Sequence, residues 1–149
     1  MAVEVPMQVT ERIPSGIRSW SFTARADEIP TWRHAVAGVL RGWRADEKAV
    51  ELAAFGISEL LSNVIKHVRD RRCCLCLVRT GEQVYIQLFD RSPAPPVLGE
   101  PAWDAESGRG LWLLREMCPQ VGWQTAPPGL GVKCVWFTCP LTNEKEVER

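Results

Sequence analysis

The sequence predicts an α+β domain: a two-layer α/β sandwich whose sheet is mixed but mostly antiparallel and is covered on one face by helices. Two long segments place apolar residues at helical spacing. Two pairs of shorter segments alternate in polarity and are joined by turn residues, the pattern of hairpins. Amphipathic helices bury their apolar stripes only against another layer, so the helices and the hairpins are expected to pack face to face.

Residues 1 to about 14 read as a tail or an edge segment. From Ile17 to Thr23, the residues Ile17, Ser19 and Ser21 alternate with Arg18, Trp20 and Phe22, which suits a half-buried strand. Asp27 then offers an N-cap, with Pro30 tolerated in the first turn of a helix. Trp32, Ala35, Val36, Val39, Leu40 and Trp43 form its apolar face, and it ends between Gly42 and Ala45. Asp46 caps a second helix running to about Val68.

After the charged break Arg69-Asp70-Arg71, Cys73 to Arg79 reads as a strand. Thr80-Gly81-Glu82 turns it into a second strand, where Val84, Ile86 and Leu88 alternate with Tyr85, Gln87 and Phe89 up to Asp90. Arg91 to Ser107 contains Pro93, Pro95, Pro96 and Pro101 and is expected to be irregular. A loop this long inside a domain is often a lid or binding loop. Gly108-Arg109-Gly110 opens a third helix carrying Leu111, Trp112, Leu114 and Met117. Val121 to Gln124 and Lys133 to Thr138 read as the last two strands, joined through Pro127-Pro128-Gly129-Leu130-Gly131, and Leu141 to Arg149 as a charged, frayed tail.

The 149 residues bound the chain to one domain, and an apolar fraction of 46% suffices for a core. Eighteen basic and eighteen acidic residues cancel, which argues against nucleic acid as the main partner. No apolar run approaches the roughly 20 residues that span a bilayer, and the N-terminus lacks the basic and apolar pattern of a signal peptide. A cytoplasmic location is expected. The six cysteines, three of them in the apolar run Cys73 to Val78, are expected to be buried, reduced thiols.

Within the second helix, Glu59, Ser62, Asn63, Lys66 and His67 fall at i, i+3, i+4, i+7 and i+8, a single polar stripe opposite Ile57, Leu60, Leu61, Val64 and Val68. A polar stripe is ordinarily a solvent face. Here a carboxylate and a carboxamide stand one turn apart, a pair able to hold a metal ion and a water together. Asp90 ends an apolar strand where a loop begins. Gly108 and Gly110 let backbone N–H groups approach an anion at a helix N-terminus. Taken singly, Gly-x-Gly is often a plain turn and Asp a common turn starter.

In this order and spacing, the pieces resemble the ATPase domain shared by gyrase, a heat-shock chaperone, histidine kinases and mismatch-repair proteins, the Bergerat ATP-binding fold. The N box is similar to Glu59-Leu60-Leu61-Ser62-Asn63-Val64-Ile65-Lys66-His67, the G1 box to Asp90-Arg91-Ser92-Pro93 and the G2 box to Glu106-Ser107-Gly108-Arg109-Gly110-Leu111. The chain looks most like the bacterial anti-sigma-factor serine kinases, over roughly residues 17 to 140. The resemblance implies ATP and Mg2+ as ligands. It implies that Asn63 coordinates the ion, that Glu59 orients or deprotonates the attacking group, and that Asp90 accepts from the adenine amino group. Ser92, Gly108, Arg109, Gly110 and Leu111 would complete the nucleotide contacts. His67 matches a histidine frequent late in the N box, but its place in a last helical turn explains it equally. The family's usual Asp-x-Gly-x-Gly is altered here, with Ser92 and Ala94 in place of glycines, so the loop is expected to be stiffer.

The resemblance further implies a homodimer that sequesters a sigma factor and phosphorylates a serine of an anti-sigma antagonist protein. The apolar stretch with Ile13, Ile17, Trp20 and Phe22 is expected to serve the pairing, and Trp103 is an aromatic in the proline-rich loop. The competing reading is a catalytically silent module that binds ATP structurally, or no nucleotide, and only holds a partner. The catalytic part of a histidine kinase would need a preceding helix pair with a phosphoacceptor histidine. A gyrase-type or repair-type ATPase would need further domains.

Overall fold

In the computed structural model, which describes residues 16–99, 101 and 109–142, the elements run β1 (Ile17–Thr23), a 3-10 turn (Ala26–Glu28), α1 (Ile29–Gly42), α2 (Glu47–His67), β2 (Arg72–Thr80), β3 (Gln83–Asp90), α3 (Gly110–Met117), β4 (Val121–Thr125) and β5 (Lys133–Pro140). The strands join in the order β1-β2-β3-β5-β4, and every neighbouring pair is antiparallel. The parallel component expected of a mixed sheet is absent among the described strands. The reason lies in the connection through α3. It carries the chain from β3 to β4, and β5 then folds back between them, so the two never pair.

Period-two alternation sorts the strand side chains onto two faces. Leu75, Leu77, Val84, Ile86, Leu88, Val135, Phe137 and Cys139 face the helices and form one core with Val36, Leu40, Ile57, Leu60, Leu61, Val64 and Leu114. The opposite face holds a smaller cluster of Cys74, Phe89 and Cys134 under Ala126, Leu130 and Trp136. Gly56 of α2 permits the closest contact between layers: the ring of Phe137 fills the space its Cβ would need. All six cysteines are free thiols, five buried and Cys76 half-buried.

Asp46 caps α2 as expected, its Oδ1 accepting from the Ala49 N–H at 2.9 Å. Asp27 does not cap α1. It sits inside the 3-10 turn, and α1 follows from Glu28 with no side-chain cap; Asp27 and Glu28 instead face the Arg25 guanidinium at 3.8 and 3.9 Å. Leu141 is not frayed. It is buried, its carbonyl accepts from the Asp46 N–H at 2.8 Å, and its own N–H donates to the Glu82 carbonyl at 2.8 Å. The two bonds tie the end of β5 to the start of α2 and to the β2–β3 turn.

Trp20 and Phe22 pack on α1, with the Phe22 ring stacked on Trp32 at 3.9 Å and Trp20 edge-on at 5.7 Å. Both rings are only half-buried there. Ile13, Trp103 and the tail residues 143–149 lie outside the described residues.

Candidate functional site

The core fixes the rotation of α2. With Leu60, Leu61 and Val64 buried against the sheet, Glu59, Ser62, Asn63, Lys66 and His67 must turn toward the one side where no strand lies. There they do not meet open solvent alone. They form one wall of a cleft of about 580 Å³, closed by Ser92, Ala94, Pro95, Pro96, Val97 and Pro101 of the loop, by Gly110 and Leu111 of α3, and by Lys133 of β5. Small-molecule clefts are typically about 300–1,000 Å³. The prolines give the loop a fixed, apolar surface on the side facing α2.

Glu59 reaches the start of α3. A Cβ at Gly110 would collide with the Glu59 carboxylate, so glycine is the one residue that leaves the carboxylate room. The position also suits its charge, since the first turn of a helix carries partial positive charge. Leu111 is buried beside it, and Arg109 is the N-cap residue of α3, with its carbonyl accepting from the Leu113 N–H at 2.8 Å.

The other end of the cleft is built around Asp90, only 2% exposed. Its Oδ1 accepts from the Ser92 N–H at 2.9 Å, and its Oδ2 lies 3.4 Å from the Lys133 ammonium. Lys133 Nζ also donates to the Ala94 carbonyl at 2.7 Å. Burial pushes the Asp90 carboxyl above the ordinary carboxylate range, while the Ser92 N–H and the Lys133 cation pull it back. Gly131 brings the two strand ends together. At φ +99 it adopts a backbone that favours glycine, and a Cβ there would lie 2.7 Å from the Asp90 carbonyl oxygen. The neighbouring Val132 N–H donates to that same oxygen at 2.7 Å.

Of the residues singled out in the sequence, Glu59, Asn63, His67, Ser92, Gly110 and Leu111 line the one cleft. Asp90 lies beneath it, in contact with Ser92 and Lys133, which do line it. Arg109 flanks the cleft at the start of α3, and Gly108 lies outside the described residues. Lys133 was not legible as a site residue. A lysine opening an apolar strand looks like a solvent-facing end, and only the β3–β5 pairing sets it opposite Asp90. Nothing in the chain order shows that β5 pairs with β3.

No cluster of three or more histidine, cysteine or acidic side chains able to hold a metal occurs among the described residues. The Asn63 carboxamide, with the Glu59 carboxylate one turn away on the same cleft wall, is a donor chemistry compatible with a hard ion held mainly by a ligand's own oxygens and water. The residues fit a nucleotide as well: a buried acceptor at one end, a polar helix stripe along the side, and a helix N-terminus closely approached through glycine.

A profile of the histidine kinase-like ATPase domain matches residues 22–138. The chain belongs to this family. The match spans the N box on α2, Asp90 at the end of β3 and the start of α3, so the three parts of the cleft lie within the matched ATPase domain. The crystal structure of the RsbU and RsbW domains of Rv1364c from Mycobacterium tuberculosis has a similar fold, with a TM-score of 0.63 at 16% identity, over 86% of this chain and 32% of that one. This ATPase domain thus spans about a third of the length of that chain. No curated protein matches the sequence. Among the described residues no helix is long and apolar enough to cross a membrane.

Proposed function

We propose that this ATPase domain is a cytoplasmic anti-sigma-type regulator that binds MgATP in the cleft and transfers a phosphoryl group to a serine of an antagonist protein. The observation that carries the reading is the gathering of Glu59, Asn63, Ser92 and Gly110 around one cleft above the buried Asp90. Asn63 would hold Mg2+, which supplies charge neutralisation at the phosphates. Asp90 would accept from the adenine amino group, because each carboxylate oxygen keeps a lone pair beyond its present partner. Glu59 would take the proton of the attacking serine hydroxyl as its oxygen bonds to the γ-phosphorus and the bond to ADP breaks. Such chemistry depends on positioning and electrostatics more than on covalent help from the protein.

Recognition of a sigma factor and an antagonist would use a homodimer. Among the described residues β1 is an edge strand of the sheet, and an edge strand is a surface on which a second copy can pair. The test is incubation of the pure protein with labelled ATP, Mg2+ and candidate antagonists. Label transferred to an antagonist serine supports the kinase. Binding of MgATP without transfer to any candidate favours the silent module.

A further inference from the structure

We propose that Lys133 is a positioning residue for the nucleotide: its ammonium keeps the buried Asp90 carboxylate charged and pins the Ala94 carbonyl, so that one cation shapes both the base acceptor and the loop that covers it. The inference rests on the MgATP reading of the cleft and goes beyond it.

Three contacts hold the Asp90 carboxylate, Ser92 and Ala94. The Ser92 N–H bonds Asp90 Oδ1 at 2.9 Å, the Ala94 N–H bonds Ser92 Oγ at 3.2 Å, and Lys133 bridges Asp90 Oδ2 and the Ala94 carbonyl at 3.4 and 2.7 Å. The first two are local turns. Lys133 ties Ala94 to β5, alongside the Val132 N–H on the Asp90 carbonyl, the Arg91 guanidinium 3.8 Å from Asp70 and the Arg115 guanidinium 3.5 Å from the Leu98 carbonyl. Its side chain is 4% exposed, a rare state for lysine, and it is tolerated because both partners accept from it. Where flexible glycines would let a chain wrap a ligand, this loop carries Ser92 and Ala94 between prolines. The cation fixes the Ala94 carbonyl from another strand. Lys133 also lines the cleft, so a ligand seated there touches the group that orients Asp90.

The charge matters to recognition. Asp90 can accept from an amino group without also donating only as the carboxylate. Burial opposes that form, and Lys133 and the Ser92 N–H favour it. The other titratable side chains whose charge is coupled to Asp90 are the thiols of Cys73 on β2 and Cys134 on β5, both pushed up to about 12 and hence neutral near pH 7. From α2 the cleft receives Glu59, Lys66 and His67. Removing Lys133 raises the Asp90 carboxyl further, so the carboxylate, and with it nucleotide binding, is lost at a higher pH than in the native protein.

The experiment is calorimetric binding of MgADP to the full chain from acid to mildly alkaline pH, for the native protein, Lys133→Met, Lys133→Gln and Lys133→Arg. Hydrogen exchange at the Ala94 amide, which bonds Ser92 Oγ, is followed without nucleotide. Lys133→Met should weaken binding about tenfold or more near neutrality, move the acid limb of the profile upward by about one unit, and speed exchange in the loop. Lys133→Gln, which still donates to Ala94, should move the limb but keep the loop protected. Lys133→Arg should keep the native limb. If Lys133→Met does not fold, the Gln and Arg variants carry the comparison alone. The proposal is overturned if the neutral variants bind with native affinity and limb. It is equally overturned if all three variants weaken binding alike with the limb unmoved, which is what a purely structural role gives. Absence of saturable binding by the native protein defeats the nucleotide reading itself, and the native curve, recorded first, separates that failure from a failure of Lys133.

Discussion

The Glu59 carboxylate fills the space that a side chain at Gly110 would occupy. Gly110→Ala should push Glu59 aside without touching the core. We expect little change in stability, since the displaced atoms are the far end of a flexible side chain, and phosphoryl transfer reduced more strongly than MgATP binding, measured by denaturant unfolding, labelled-phosphate transfer and calorimetry. Native transfer rates in Gly110→Ala would mean that the Glu59 position is unimportant.

Asn63 and Glu59 should separate binding from chemistry. Asn63→Ala should remove magnesium-dependent nucleotide binding, because the carboxamide contacts the ion before any reaction. Glu59→Gln should bind nearly normally and transfer phosphate about 10²-fold or more slowly, the usual loss for a general base. Equal transfer by Glu59→Gln and the native protein would remove Glu59 from that role.

Asp90 should confer a preference for ATP over GTP. Guanine carries a carbonyl where adenine carries an amino group, and two acceptors facing each other leave the carboxylate unsatisfied, at about 1–3 kcal/mol. Asp90→Asn should weaken ATP binding and narrow the preference. Equal native affinity for the two nucleotides would contradict this.

Most of the framework was legible because its periodicities are strong. The apolar face of α2 from Ile57 to Val68 fixed the orientation of Glu59 and Asn63, and Asp46 announced where that helix begins. The errors share a physical origin in contacts between distant segments. Leu141 looks like the start of a charged tail because its partners, Asp46 and Glu82, are remote in sequence. Asp27 has the chemistry of a cap, but a 3-10 turn intervenes before α1. Lys133 becomes part of the site only through a strand pairing that passes over β4.

The cysteines offer a check on burial. Burial pushes the thiols of Cys73, Cys118, Cys134 and Cys139 to about 12 and Cys76 to about 11. Near pH 8 a group with a pKa near 12 is thiolate in roughly one molecule in ten thousand. A thiol reagent should therefore react slowly with the native protein, with Cys76 first, and promptly with all six cysteines after unfolding. From the ordinary thiol value of 9.0 to about 12, the unfolded chain has lost protons that the folded chain retains. Stability should accordingly fall as pH rises through that window. Rapid labelling of several thiols in the native state would contradict the packing of β2 and β5.

Gly56→Ala should act through the core rather than the site. The added methyl meets the Phe137 ring, which is fully buried and has little room to move. A loss of about 1–3 kcal/mol is expected, read by chemical denaturation, with MgATP affinity retained by the folded fraction. No change in stability would show that the contact between α2 and β5 is looser than described.

The central claim is tested most directly by titrating the native protein with MgATP and following its binding heat, with Asn63→Ala and Asp90→Asn as comparisons. The account predicts one saturable site per chain, lost in Asn63→Ala and weakened in Asp90→Asn while both variants stay folded. No saturable signal from the native protein at millimolar MgATP, or native-like binding by both variants, would contradict it.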